Sequence, residues 1–298
     1  MSPERALDPG PGLTEHRVVL PDGRRIRTVT AGEGPGPLVV FEAGMSAPAA
    51  SWVHTQREIS TRHRTLSYDR AGYGGSDLDP ADRTLERLVD DLTDLLDVLA
   101  ETDPVVLVGH SWGGPIARLF ADRHPDRVAG LVFVDATLAG IIPEDQAGRI
   151  RRTFQLMSVL AGLGGSRLIM RLSLPHGTAA EISQSDLEII RRDYACGRAM
   201  RAGGREARQI LPALQVLRRL QEVGTPAVPT ICLQAGRIDR GMATVRPALN
   251  QLATELMSLA PKGKAVIVEQ AGHLIPQECP AAVREAVLEV VDAVTEVR

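Results

Sequence analysis

A chain of 298 residues with 44% hydrophobic residues and a formal net charge of −3 can bury a sizeable core, as one large domain or as a domain carrying an insertion. The slightly acidic balance argues against a dedicated nucleic-acid binder, and no apolar run approaches membrane-spanning length. Three widely spaced cysteines, Cys196, Cys232 and Cys279, form no disulfide framework and no metal-ligand pattern, and neither a metal nor a cofactor is expected.

Residues Met1 to Gly12 are rich in Pro, Gly and charge and lack the apolar core of a secretory signal. They predict a disordered tail over 1–14 and a cytoplasmic location. From Arg17 to Thr30 the pattern predicts a hairpin turning at Pro21-Asp22-Gly23. Leu38 to Phe41 reads as a buried strand that ends at Glu42-Ala43-Gly44-Met45. Thr65 to Tyr68 reads as another, followed by a turn-rich segment from Asp69 to Ser76. Leu85, Leu88, Leu92, Leu95 and Leu99 recur at helical spacing.

The segment Val105 to Gly114 carries the most information. A short apolar, β-branched run ends in Gly109-His110-Ser111-Trp112-Gly113, and a helical pattern begins at once with Ile116, Ala117, Leu119 and Phe120. Strand, sharp turn and helix are the context of a nucleophile elbow, in which the serine is forced into strained backbone angles and exposed at the strand end. Val128 to Asp135 then predicts a further strand. Strands alternating with helices argue for a parallel sheet covered on both faces.

The alternation breaks over residues 138–225, which read as helices and turns with a net charge of about +5. Gly162-Leu163-Gly164-Gly165 falls between helical segments, not after a strand, so it is no dinucleotide loop. The sheet pattern resumes at Thr230 to Leu233. A helix from about Ala243 to Leu259, a strand from Ala265 to Glu269 and a last helix from Pro280 follow.

These motifs resemble the α/β-hydrolase superfamily, in its branch with a serine nucleophile and a helical cap. The residues that carry the resemblance are Gly44 after the third strand, the run Tyr68 to Ser76, the elbow at Ser111, Gly236-Arg237-Ile238-Asp239, and Gly272-His273. The fold implied is an α/β-hydrolase fold, with a mostly parallel central sheet, helices on both faces and an inserted helical cap. Residues 15–137 and 226–298 would form the core and 138–225 the cap.

The resemblance implies Ser111 as nucleophile and His273 as its base, since a serine hydroxyl at neutral pH needs a base within hydrogen-bond reach. Of the seven histidines, only His273 has the motif, the C-terminal position and the chain order Ser, acid, His. Asp239, in a Gly-x-x-Asp loop after the strand at 231–235, is the expected acid; Asp135, which ends the preceding strand, is the alternative. The oxyanion hole would use the backbone N–H groups of Met45 and Trp112. Family members commonly have His-Gly where this chain has Ala43-Gly44 preceded by Glu42, a carboxylate that needs partners if buried.

The expected activity is hydrolysis of a small or medium acyl ester, or a related thioester or amide, through an acyl-enzyme on a small-molecule substrate. A cofactor-free haloperoxidase or perhydrolase, a non-hydrolytic pathway enzyme, and a ligand receptor with a retained triad are the other readings of this scaffold. Epoxide hydrolase chemistry is disfavoured, because those family members carry Asp where this chain has Ser111.

Overall fold

Alternate residues of the central strands enter opposite cores, as the period of two in an extended chain requires. In chain order the strands are β1 (Thr14–Val19), β2 (Arg25–Ala31), β3 (Val39–Glu42), β4 (Thr65–Tyr68), β5 (Val105–His110), β6 (Val128–Val134), β7 (Thr230–Ala235) and β8 (Gly263–Val268). The helices are α1 (Val53–Ile59), α2 (Leu85–Val98), α3 (Gly113–Arg123), α4 (Glu144–Gly162), α5 (Ser166–Ser173) and α6 (Gln184–Tyr194). They continue with α7 (Gly197–Glu206), α8 (Ile210–Val223), α9 (Val245–Leu259), α10 (Ile275–Glu278) and α11 (Pro280–Thr295). The computed structural model describes residues 8–140, 144–174, 176–194, 196–239 and 242–296.

One eight-stranded sheet runs in the order β1-β2-β4-β3-β5-β6-β7-β8. The β1/β2 and β2/β4 pairs are antiparallel, and every later pair is parallel. Val40, Leu107 and Leu131 face a core built with Leu88, Leu92 and Leu95 of α2 and Ile116 and Phe120 of α3. Val39, Phe41, Val106, Val108, Val132 and Val134 face the other, closed by Trp52, Ile59 and the valines of α11. Burying each such side chain contributes about 1.5–3 kcal/mol, which is why β5 tolerates no polar alternation.

Strand β5 is central, and its C-terminal end delivers Ser111 to the edge where open parallel sheets place their sites. Helices α4 to α8 fill the chain between β6 and β7. The Gly162–Gly165 run joins α4 to α5. The end of the segment expected as a tail is ordered. Residues 1–7 lie outside the described residues, whereas Leu13 is buried in a cluster with Val29 and Val53, and Thr14 already pairs with Thr30. The apolar Leu13 gains more by packing there than the Pro/Gly-rich flank loses in chain entropy.

Two arginines of the inserted segment tie it to the rest of the chain. Arg198 donates to the Gly72 and Ser76 carbonyls, and Arg205 to those of Asp79 and Ala81. Both sit on α7 and fasten it to the loops that follow β4.

Candidate active site

Ser111 has φ 50°, the left-handed region that a non-glycine residue enters only under constraint. The glycines around it make that turn sterically feasible. A Cβ on Gly109 would stand 2.6 Å from the Gly113 carbonyl oxygen, and one on Gly113 would stand 2.2 Å from that of Glu42. The strand-to-helix reversal at this radius therefore requires glycine at both positions.

His273 Nε2 lies 3.0 Å from Ser111 Oγ, and His273 Nδ1 lies 2.6 Å from Asp135 Oδ2. The carboxylate against the imidazole is thus Asp135, not the expected Asp239. Asp239 is drawn to Arg237, whose Nε donates to its Oδ1 at 2.8 Å, and His176 Nε2 lies 3.8 Å from the same oxygen. Asp135 and Asp239 follow the adjacent strands β6 and β7, so both carboxylates reach the same edge of the sheet. The arginine beside each decides where it points.

Asp135 is saturated with donors. Its Oδ1 accepts from the Ala235 amide at 3.1 Å and from Arg246 Nη1, and its Oδ2 accepts from Arg246 Nη2 at 2.8 Å as well as from His273. Burial pushes this carboxyl up, but hydrogen bonds and charge from His273 and Arg246 outweigh it and hold the group well below the usual carboxylate range. It is ionised at neutral pH and so acts as an acceptor toward the imidazole. Asp135 itself adopts φ 42°, a second strained residue at the sheet edge.

His110, the neighbour of Ser111, points away from it. Its Nε2 donates to the His273 carbonyl at 2.9 Å, supporting the loop that bears the imidazole. Burial and the neighbouring His273 push the His110 ring down to about 3, so it stays neutral.

The segment Glu42 to Ser46 lies against the elbow: a Cβ on Gly44 would stand 3.2 Å from Ser111 Cβ. Among the described residues, neither the Met45 amide nor the Trp112 amide donates to a protein acceptor. The Trp112 side chain is 1% exposed and packs in the core beside α2 and α3, so it is a packing residue. Glu42 is buried and has partners after all: Tyr68 Oη donates to its Oε2, and Arg70 Nη1 to its Oε1 at 2.5 Å. Burial nonetheless raises its carboxyl above the ordinary range.

An apolar recess behind the elbow, lined by Gly114, Pro115, Phe133, Ala136, Leu138 and Leu217 among others, touches neither Ser111 nor His273. Cys232 borders it from β7; burial pushes its thiol up to about 12, consistent with a small core residue. Sequence reasoning passed over Arg246, which stands 111 residues from Asp135. The only sequence signal for it is general: a buried carboxylate demands a cation.

The family profile described as "Alpha/beta hydrolase family" matches residues 39–286, and the chain belongs to that family. It is similar to epoxide hydrolase 4 of Mus musculus, at 35% identity over 131 residues that cover 43% of this chain and 36% of the relative. The matches to the first curated relatives span only about a third of those proteins' length. Among solved structures, an esterase from Thermogutta terrifontis superposes with a TM-score of 0.72 at 23% identity, covering 94% of this chain and 99% of that one. An epoxide hydrolase from Vigna radiata superposes with a TM-score of 0.77 at 16% identity, covering 94% and 98%. At these identities the structural likeness concerns the fold. Among the described residues no helix is long and apolar enough to cross a membrane.

Proposed function

We propose that this chain is a serine hydrolase that transfers an acyl group from a small or medium ester to water, using Ser111, His273 and Asp135. The observation that carries the reading is the continuous line from Asp135 Oδ2 through His273 to Ser111 Oγ, with contacts of 2.6 and 3.0 Å. His273 Nε2 takes the Ser111 proton as Oγ attacks the carbonyl carbon. The Met45 and Trp112 amides receive the oxyanion, and His273 then protonates the departing alcohol. A water, deprotonated by His273, attacks the acyl-enzyme and releases the acid and Ser111. Helices α4 to α8 act as the cap that sets the acyl size.

The names of the curated relatives suggest epoxides as a second substrate class. The nucleophile speaks against it. A carboxylate opening an epoxide yields an ester that water can cleave; a serine alkoxide would yield an alkyl ether that this site cannot hydrolyse. Serine is therefore suited to acyl transfer.

The test is fluorophosphonate labelling with peptide mapping, beside p-nitrophenyl esters of graded chain length. Labelling at Ser111 together with ester turnover supports the proposal. Ser111→Ala is expected to abolish labelling and to lower kcat by at least about 10³-fold. Ester hydrolysis at the wild-type rate in that variant, or epoxide opening without ester turnover in the wild type, overturns it.

A further inference from the structure

We propose that helix α7 of the inserted segment is a built part of the oxyanion hole, with Arg70 and Glu206 as the positioning residues that link them. The inference rests on the serine-hydrolase reading above. It begins with a property of the peptide bond: the C=O of one residue and the N–H of the next lie in one rigid plane, so gripping the oxygen aims the hydrogen.

Three consecutive peptide planes around Met45 are gripped in this way. Arg70 Nη1 donates to the Ala43 carbonyl at 2.5 Å, and Arg70 Nη2 donates to the Gly44 carbonyl at 2.9 Å. The second of these planes is the one that carries the Met45 N–H. In the next plane, the Ser46 N–H donates to Tyr73 Oη at 3.1 Å. Charge-assisted donation to the Gly44 oxygen also polarises the peptide, which makes the Met45 N–H a better donor.

Arg70 is in turn held by α7. Its Nε donates to Glu206 Oε1 at 2.9 Å and its Nη2 to Glu206 Oε2 at 2.8 Å. Arg70, Glu42 and Glu206 are all at least 97% buried, so no water substitutes for a lost partner. The helix also presses on the loop directly. A Cβ on Gly203 would stand 2.0 Å from Ser46 Oγ and 2.9 Å from the Ser46 amide nitrogen. Glycine at 203 lets α7 and the loop approach this closely; with Arg198 and Arg205 fastening the same helix, α7 is a fixed wall of the site.

The experiment compares wild type with Glu206→Ala, Glu206→Gln and Gly203→Ala, each first shown to be folded by circular dichroism. Hydrogen–deuterium exchange of the peptide spanning residues 42–48 is measured by mass spectrometry, and kcat and KM are measured on p-nitrophenyl butyrate. Gly203→Ala removes no charge and improves helix propensity, so it tests the link even where Glu206→Ala fails to fold. Faster exchange confined to that peptide is expected in Glu206→Ala and Gly203→Ala. A fall in kcat of about 10- to 100-fold with KM within about 3-fold is expected with it, partly rescued in Glu206→Gln. Folded variants with wild-type exchange, or with faster exchange and undiminished kcat, overturn the inference. If the wild type turns over no ester while the exchange pattern appears as described, the link stands and the ester reading falls.

Discussion

Asp135 shows how one side chain is committed to one task. Four donors converge on its two oxygens, and two of them come from a buried guanidinium. Asp135→Asn removes the negative charge opposite His273 and sets an amide N–H against donors in either orientation, against Arg246 and the Ala235 amide or against Arg246 and His273. kcat on a p-nitrophenyl ester is expected to fall by about 10³- to 10⁴-fold. Asp239→Asn changes a carboxylate tied to Arg237 and is expected to leave kcat within a few-fold of wild type. Steady-state kinetics on the two variants separate the assignments. Asp135→Asn also leaves Arg246 buried without its counter-charge. Urea unfolding is expected to show a loss of about 3–5 kcal/mol, against little change for Asp239→Asn.

At the scale of elements, stability and chemistry are carried by different parts of the fold. Helix α2 has a Thr84 N-cap whose side chain accepts from the Arg87 amide at 3.2 Å, and it buries Leu85, Leu88, Leu92 and Leu95 against the sheet. It supplies no group to the site. Leu92→Ala is expected to cost about 2–5 kcal/mol. Thr84→Ala is expected to cost about 1 kcal/mol. Chemical denaturation reads both losses, and kcat at 25 °C is expected to stay at the wild-type value. The Leu85–Leu99 periodicity makes this helix legible in the sequence, because its interactions are local or with a generic apolar surface. Helix α7 is the opposite case: its value lies in Gly203 and Glu206 meeting Ser46 and Arg70. Nothing in the spacing of those residues announces the contact.

For the whole molecule, the buried titratable groups set the response to acid. His110 is pushed down to about 3 from an ordinary 6.5, so between those values the unfolded chain binds a proton that the folded chain does not. Stability therefore rises with pH through that window and is lost on acidification. Asp135, held below the usual carboxylate range, adds to the loss in the same direction at lower pH. Glu42, raised by burial, opposes both. The melting temperature is expected to fall from pH 7 to pH 4, and His110→Gln is expected to flatten that fall. An unchanged slope in the variant would assign the acid sensitivity to other groups.

The layered α/β architecture and the turn at Ser111 were legible in the sequence by itself, whereas His273 was singled out only through the family resemblance. The first two rest on local steric or hydrophobic rules: the period of two in the strands, glycines flanking a tight turn, and apolar runs too long to leave exposed. Only the tertiary structure shows which of Asp135 and Asp239 lies against His273. Two neighbouring parallel strands bring both carboxylates to one edge, and their equivalence along the chain is broken by Arg246 on α9 and Arg237 on the loop after β7. The same holds for the contact between Glu206 and Arg70, 136 residues apart. A pairing of buried charges depends on which helices meet, and that is settled by the packing of the whole chain.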